Sequence, residues 1–473
     1  MKQKEIPFAV SSAIGLSEED RDKVLDLMYL YQKKLTRNLL RDRYYEMKHK
    51  PKDLGISVPP NLKNLQQVVG WCAKAVDTLA NRSIFDGFTS SNEETTQKLK
   101  TLCQRSSLFR KYRKTVRSEL KHSCAFMTVT NSEGGHAQIN TFPATASSAL
   151  WDSRLCRITS GMVVVDRDNS RRGLGTPTWV DIFTESAIIE IKRVDERRWV
   201  AEYYEHDMGR CLMEAFVYNA TLDRPMGTSR ISRAVMNITD SAMRASVRSE
   251  ISAEFFTSPQ KYLLGADKEA LNGQSKWDAY IGNLFCVSRA DEDLVPQFGQ
   301  LSQGSMQPHI DYIRSLAMRF SGETNIPVGE LGVIYDNPTG AESIYAQKEP
   351  LVIDAQNLNA DNNEALTNIA LMALAIENKS NFEEELNKGL NIHTKFKNPA
   401  LPSIVTQADA MIKACNILPF LADSDIALEE LGFSDEKIQR LEPVRRKYQA
   451  QQLLQERYAQ MLKADGNDQQ DVS

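Results

Sequence analysis

Ser229-Arg-Ile-Ser-Arg-Ala-Val-Met-Asn-Ile-Thr-Asp-Ser-Ala-Met-Arg-Ala-Ser-Val-Arg248 is the stretch on which the reading of this chain turns. Ile231, Val235, Ile238, Ala242 and Ala245 return at three- and four-residue steps, so one helix face carries a narrow apolar stripe. Thr228 and Ser229 offer hydroxyls that can cap its start, and Arg230, Arg233, Arg244 and Arg248 stand against Asp240, Glu250 and Glu254 on its flanks. A second helix is expected from Ser305, with Pro308 in its first turn and Ile310, Ile313, Ala317 and Phe320 on one face. Thin apolar seams with polar flanks suit helices packed side by side in a bundle, and they point to a wall built from several subunits.

Outward from this pair, the connecting segment reads as a compact αβ insert. Strands are expected at Lys261–Leu264 and Leu284–Ser288 with a helix over Lys268–Tyr280, and an acidic turn at Ala290–Asp293 precedes Leu294–Phe298. Beyond Gly322 comes a glycine- and proline-bearing loop, Glu323-Thr-Asn-Ile-Pro-Val-Gly-Glu-Leu-Gly-Val-Ile-Tyr-Asp336. It has three acids, no bases and apolar residues that look exposed. Thr339 and Glu342 have the spacing of a capping box, opening a long helix that Pro350 should kink. After Pro399 the chain becomes a helical module, with helices near 404–418, 423–431 and 434–463, and residues from 465 on are expected to be a disordered tail.

On the N-terminal side, helices are expected at Ser17–His49, Asn61–Leu79 and Ser107–His122. The last carries Arg110, Lys111, Arg113, Lys114, Arg117 and Lys121, read as a solvated face or one salt-bridged to a neighbouring subunit more readily than a DNA-binding one. Between Cys124 and Tyr218 the period becomes two. Strands are expected at Phe126–Thr130, Ala137–Thr141, Met162–Asp166, Trp179–Thr184, Ala187–Val194 and Trp199–Tyr204. The fold class is therefore α+β.

Composition narrows the function. A 473-residue chain with 41% hydrophobic and 25% charged residues is long enough for several domains. Its formal net charge of −4 is not that of a strongly basic nucleic-acid binder. No run of about 18 apolar residues is present, so no membrane span is expected. Seven scattered cysteines read as reduced thiols in a cytoplasmic compartment. No phosphate loop, zinc-protease motif or nucleophile elbow occurs, and none of the six histidines stands at metal-ligand spacing from another. His122, two residues from Cys124, reads as a surface histidine beside a buried thiol. No catalytic residue, cofactor or metal is expected.

Three segments together resemble the portal proteins of tailed bacteriophages, most closely the branch of long-tailed, siphovirus-type phages. They are Gly227-Thr-Ser-Arg-Ile231, Ser258-Pro-Gln-Lys-Tyr-Leu-Leu-Gly265, and Thr324-Asn-Ile-Pro-Val-Gly-Glu-Leu-Gly332 followed by Asn337-Pro-Thr-Gly-Ala-Glu-Ser-Ile344. Their order and spacing around two helices and an αβ insert carry the likeness, which is strongest from Gly209 to Ile376. Gly340 departs from it, standing where a small polar residue is expected.

The resemblance implies a subunit with a wing (1–226, β-rich and helical), stem helices (227–256 and 305–321) and a small αβ clip (257–304). It further implies a channel loop (322–338), a kinked wing helix and return (339–399), a helical crown (400–464) and a tail (465–473). It implies a homo-oligomeric ring of twelve subunits at one capsid vertex, enclosing a channel for double-stranded DNA that is held non-specifically and transiently. Implied partners are the terminase large subunit, the major capsid and scaffolding proteins, and the head-tail connector. Implied locations are the virion vertex and, during assembly, the host cytoplasm. The channel loop is assigned Glu323, Asn325, Ile326, Val328, Glu330, Leu331, Val333 and Asp336. The subunit interface is assigned Ile231, Val235, Ile238, Ala242, Ala245, Ile310, Ile313, Ala317 and Phe320. The alternative is another virion assembly protein, a capsid or scaffold component without a DNA channel.

Overall fold

The computed structural model describes residues 5–50, 67–132, 134–170, 175–195, 198–257, 261–264, 297–300, 304–333, 341–400, 404–433 and 435–468. The chain divides into two compact units, 1–399 and 400–473. In chain order the first unit begins with α1 (Glu18–Tyr45), α2 (Trp71–Ala80), β1 (Phe85–Thr89), α3 (Glu93–Arg105) and α4 (Leu108–His122). Eight strands follow: β2 (Cys124–Asn131), β3 (Ala137–Pro143), β4 (Ser147–Asp152), β5 (Arg157–Asp168), β6 (Thr176–Phe183), β7 (Ala187–Arg193), β8 (Trp199–Glu205) and β9 (Met213–Val217). Then come α5 (Arg233–Thr257), β10 (Lys261–Leu264), β11 (Gln297–Gln300), α6 (Gln307–Thr324), α7 (Ala341–Asn378), α8 (Phe382–Asn387) and β12 (His393–Phe396).

Two hydrophobic cores result. In the smaller, α1 lies on the antiparallel sheet β4-β5-β6-β7-β8. Ser17 caps α1 by accepting from the Asp20 amide at 3.2 Å, and three acids fill its first turn, where the helix dipole favours them. The face bearing Val24, Leu27, Met28, Tyr31 and Leu35 is buried against Val164, Val180, Ile182, Ile189 and Ile191, sheet residues that alternate in period two. The larger core surrounds α7. From Ile369 to Ile376 every residue is buried, and the helix packs against the sheet β3-β2-β9, α2, α8 and β12. The helix continues past Pro350, although proline's missing N–H removes the bond to the Ala346 carbonyl.

The second unit comprises α9 (Ile404–Ile417), α10 (Asp425–Glu430, capped by Ser424) and α11 (Asp435–Asp468). Arg445 on α11 pairs with Asp425 on α10 at 2.7 Å.

Several expectations need correction. The helix expected from Ser229 begins at Arg233, because Ser229 turns to other partners and Ser232 supplies the cap, accepting from the Val235 amide at 3.1 Å. The second helix starts at Gln307 and runs past Gly322 to Thr324. The helix expected over 61–79 is seen from Trp71, and 61–66 lie outside the described residues. Helix α11 reaches Asp468, into the stretch expected to be a tail; 469–473 lie outside the described residues. In the insert, β10 pairs with β11 antiparallel, Lys261 opposite Gln300. The helix expected at 268–280 and the strand at 284–288 lie outside the described residues, as do 339 and 340 before α7. Strands β1, β4, β9 and β12 and helix α3 were not legible in the sequence. They are short or lie in mixed polar runs whose burial depends on partners far along the chain.

Candidate functional site

The structure brings Gly227–Ile231, the C-terminal end of α6 and the middle of α7 to one place. Gly227 sits at φ +62°, and a Cβ there would lie 2.2 Å from the Tyr218 carbonyl oxygen, so only glycine fits this turn. The turn delivers Ser229 to the end of α4. Its Oγ donates to the Lys121 carbonyl at 2.7 Å and accepts from the Ile231 amide at 3.0 Å, while the Arg230 amide donates to the Leu120 carbonyl at 2.9 Å. Carbonyls left unpaired at a helix C-terminus are thereby satisfied.

Arg230 is 6% exposed and joins three helices and the Tyr218 side chain. Its Nε donates to the Ala75 carbonyl of α2 at 2.8 Å, and Nη1 to the Tyr218 hydroxyl at 2.8 Å and to Asp354 Oδ2 of α7 at 3.3 Å. Its Nη2 reaches the Thr324 carbonyl of α6 at 2.6 Å. Asn325, left-handed at φ +54°, ends α6 and donates to both oxygens of Asp354, at 3.3 and 3.1 Å. A planar guanidinium with five donors can serve so many acceptors at once; a lysine cannot. The point at which the chain leaves α6 is therefore fixed.

The segment assigned to the channel is only partly free. Glu323 lies in the exposed last turn of α6. Ile326, expected as exposed loop, is 0% exposed inside the larger core, and Pro327 beside it is buried. Val328–Leu331 forms a 3₁₀ turn closed by Gly332 at φ +84°, and Leu331 packs on the same core. Glu330 faces Lys74 at 3.9 Å and Arg82 at 3.7 Å, so it is partly neutralised rather than a bare acid. Val333 is half-buried, and Asp336 lies outside the described residues. The anchoring reaches to Gly332 because apolar side chains in a short loop lower their free energy by entering the nearest core.

The helix stripe is placed inside the subunit. Ile231, Val235, Ile238, Ala242, Ala245, Ala317 and Phe320 are each 4% exposed or less, packed between α5, α6 and the body, with Trp71 5.2 Å from the Phe320 ring. Their apolar surface is already covered by their own chain, which corrects their assignment to a subunit interface. Ile313 is half-buried, and Ile310 remains 50% exposed. On the same helix Tyr312 and Met318 are also open.

Sequence reasoning missed a buried polar cluster beneath α4. Glu119, wholly buried, accepts from Asn362 Nδ2 of α7 at 3.0 Å, and the same amide donates to the Tyr112 hydroxyl at 3.2 Å. Desolvation pushes the Glu119 carboxyl up to about 8, against the hydrogen bond from Asn362, so it is neutral at pH 7. An acid within the apolar period of a helix is the one sign it left in the sequence. His122 is likewise buried, which corrects its reading as a surface residue. Its Nε2 donates to Asp42 at 2.9 Å, and burial lowers its pKa despite that partner. Of the basic residues on α4, Arg117 pairs with Asp77 at 3.0 Å and Lys121 with Asp42 at 2.6 Å, ion pairs made within the chain rather than to a neighbouring subunit.

Among the described residues no three potential metal ligands converge, and no helix is long and apolar enough to cross a membrane. The portal protein of Mycobacterium phage L5 is 24% identical over 387 residues, covering 78% of this chain and 77% of its own. That of Mycobacterium phage D29 is 23% identical over 407 residues, covering 83% and 81%. Among solved structures, a chain from the virion of a native gene transfer agent particle has a TM-score of 0.45 at 12% identity, covering 80% of this chain and 89% of that one. A chain from the neck of the native particle computed with C12 symmetry has a TM-score of 0.41 at 11% identity, covering 72% and 84%. The family model described as "Phage portal protein, SPP1 Gp6-like" matches residues 26–449, so the chain belongs to the phage portal protein family of that type.

Proposed function

We propose that this portal protein closes into a ring of twelve copies at one capsid vertex and that the ring encloses a channel for double-stranded DNA. The observation that carries the reading is the state of α6. One of its faces is sealed against α5 and the core, while Ile310, Tyr312 and Met318 keep 50%, 47% and 50% of their surface open. Open apolar side chains flanking a rigid helical seam are what a neighbouring copy would cover. On this reading α5 and α6 are the stem, β10 and β11 belong to the clip, the unit to Pro399 holds the wing, and α9–α11 form the crown. The ring would dock the terminase large subunit during packaging, sit among major capsid and scaffolding proteins, and later hold the head-tail connector. Its role is structural, and ATP hydrolysis belongs to the motor.

The part of the loop able to touch DNA is shorter than the sequence implied. It begins at Gly332 and includes Val333 and Asp336, because Ile326 and Leu331 are anchors and Glu330 has basic neighbours. A conduit must not hold DNA tightly, since each neutralised phosphate strengthens retention. A segment without bases meets that need. Negative-stain imaging of the purified protein tests the proposal: rings with a central hole are expected, and shells, filaments or compact monomers would refute it.

A further inference from the structure

The three α1 cations Lys34, Arg37 and Arg41 recur on one helix face at steps of three and four, and that face lines a cavity of about 470 Å³. Arg224, from the turn that leads into Gly227, lines it as well, and Asp223 is the one acid in the lining. The opposite wall is apolar, with Phe126, Ala149 and Met226. A chain of net charge −4 thus places four cations around one hollow, and among the described residues none of the four has a carboxylate partner. The cations disfavour one another. Desolvation first, then Arg37, Lys33 and Arg41, lowers the Lys34 pKa, and desolvation with Arg37 lowers that of Arg41 to about 10.

Arg41 shows which ligand would relieve this. Its Nη1 donates to the His122 carbonyl at 2.9 Å and lies 3.5 Å from Asn38 Oδ1, which fixes the guanidinium plane. Its Nε is buried and has no partner. Among the described residues Nη2 is left without a hydrogen-bond partner and can donate to one oxygen of an anion in the hollow, a charge-assisted contact.

We propose that this cavity is a binding site for a small phosphate-bearing molecule, held by Arg41 and flanked by Lys34, Arg37 and Arg224. The hollow is far too small for a DNA duplex, so the phosphate comes from free inorganic phosphate or from a mononucleotide whose base lies on the apolar wall.

Isothermal titration calorimetry on the full-length protein, with inorganic phosphate, deoxyadenosine monophosphate, deoxyadenosine and citrate as probes, tests this. Phosphate and the nucleotide are expected to bind at one site per chain. Lys34→Ala/Arg37→Ala changes exposed side chains and leaves the fold intact; binding to it should be at least ~10-fold weaker, as loss of two charge-assisted contacts demands. Arg41→Lys keeps the charge but loses the planar guanidinium anchored on the His122 carbonyl, and should weaken binding as well. A nucleotide that binds more tightly than inorganic phosphate identifies the nucleotide as the source, and equal affinity with no binding of deoxyadenosine identifies the free anion. Absence of binding by both phosphates, binding unchanged in Lys34→Ala/Arg37→Ala, or citrate binding as tightly as phosphate would each overturn the assignment.

Discussion

Arg230 and Thr324, 94 residues apart, are joined by a 2.6 Å hydrogen bond from the guanidinium Nη2 to the backbone carbonyl. Through it the turn that opens α5 holds the end of α6. Arg230→Lys keeps the charge but cannot serve Ala75, Tyr218, Asp354 and Thr324 together, and it leaves buried carbonyls without donors. A loss of about 1–3 kcal/mol of unfolding free energy is expected, as for unsatisfied buried polar groups. Denaturant unfolding checks it; a variant as stable as the parent would show that the four contacts do not cooperate.

Glu119 gives the stability a pH dependence of definite sign. Its folded pKa of about 8 lies above the ordinary 4.5, so the folded state keeps a proton that the unfolded state releases. The stabilisation is full below about 4.5 and is lost as pH rises toward 8, on the order of 5 kcal/mol across that window. Glu119→Gln removes the titration. Thermal unfolding at pH 5.5 and 8.5 should show a smaller drop in the variant than in the parent, and equal drops would place the proton elsewhere.

Ala242→Leu with Ala245→Leu overpacks the covered seam of α5 and should cost about 1–3 kcal/mol per site within each subunit. Ile310→Asp alters an open side chain and should leave subunit stability within about 0.5 kcal/mol. On the proposed ring, the aspartate instead weakens association between copies. Native mass spectrometry together with chemical unfolding separates the two effects. Intact rings from the aspartate variant would remove α6 from the interface.

The segment after α6 should divide at Gly332. Ile326→Ala empties a core position and is expected to cost about 2–5 kcal/mol. Val333→Ser should leave subunit stability nearly unchanged but reduce the DNA packaged or retained per particle. Normal packaging by that variant would take Val333 out of the channel.

Periodicity alone was enough to mark Ile231, Val235, Ile238, Ala242 and Ala245 as buried, because the 3.6-residue repeat states which face of a helix is apolar. It could not state what covers that face. A neighbouring subunit and the same chain's α6 and body make equal demands on side-chain chemistry, and only the packed structure chose the second. The same holds for Ile326, whose loop neighbours are legible as glycine and proline but whose burial depends on a core assembled from α2, α5 and α7. Strands β5 to β8 announced themselves by alternation. Strand β9 did not, since Met213–Val217 is too short to show a period and is buried by its pairing with β2. Arg230 looked like one of several flank charges; its role emerged when Ala75, Tyr218, Thr324 and Asp354 converged on it. Local sequence specifies the backbone's turns and the polarity of each face, through sterics and hydration of a few neighbouring residues. Which faces meet is decided by contacts between residues scores of positions apart, and a periodic pattern contains no record of them.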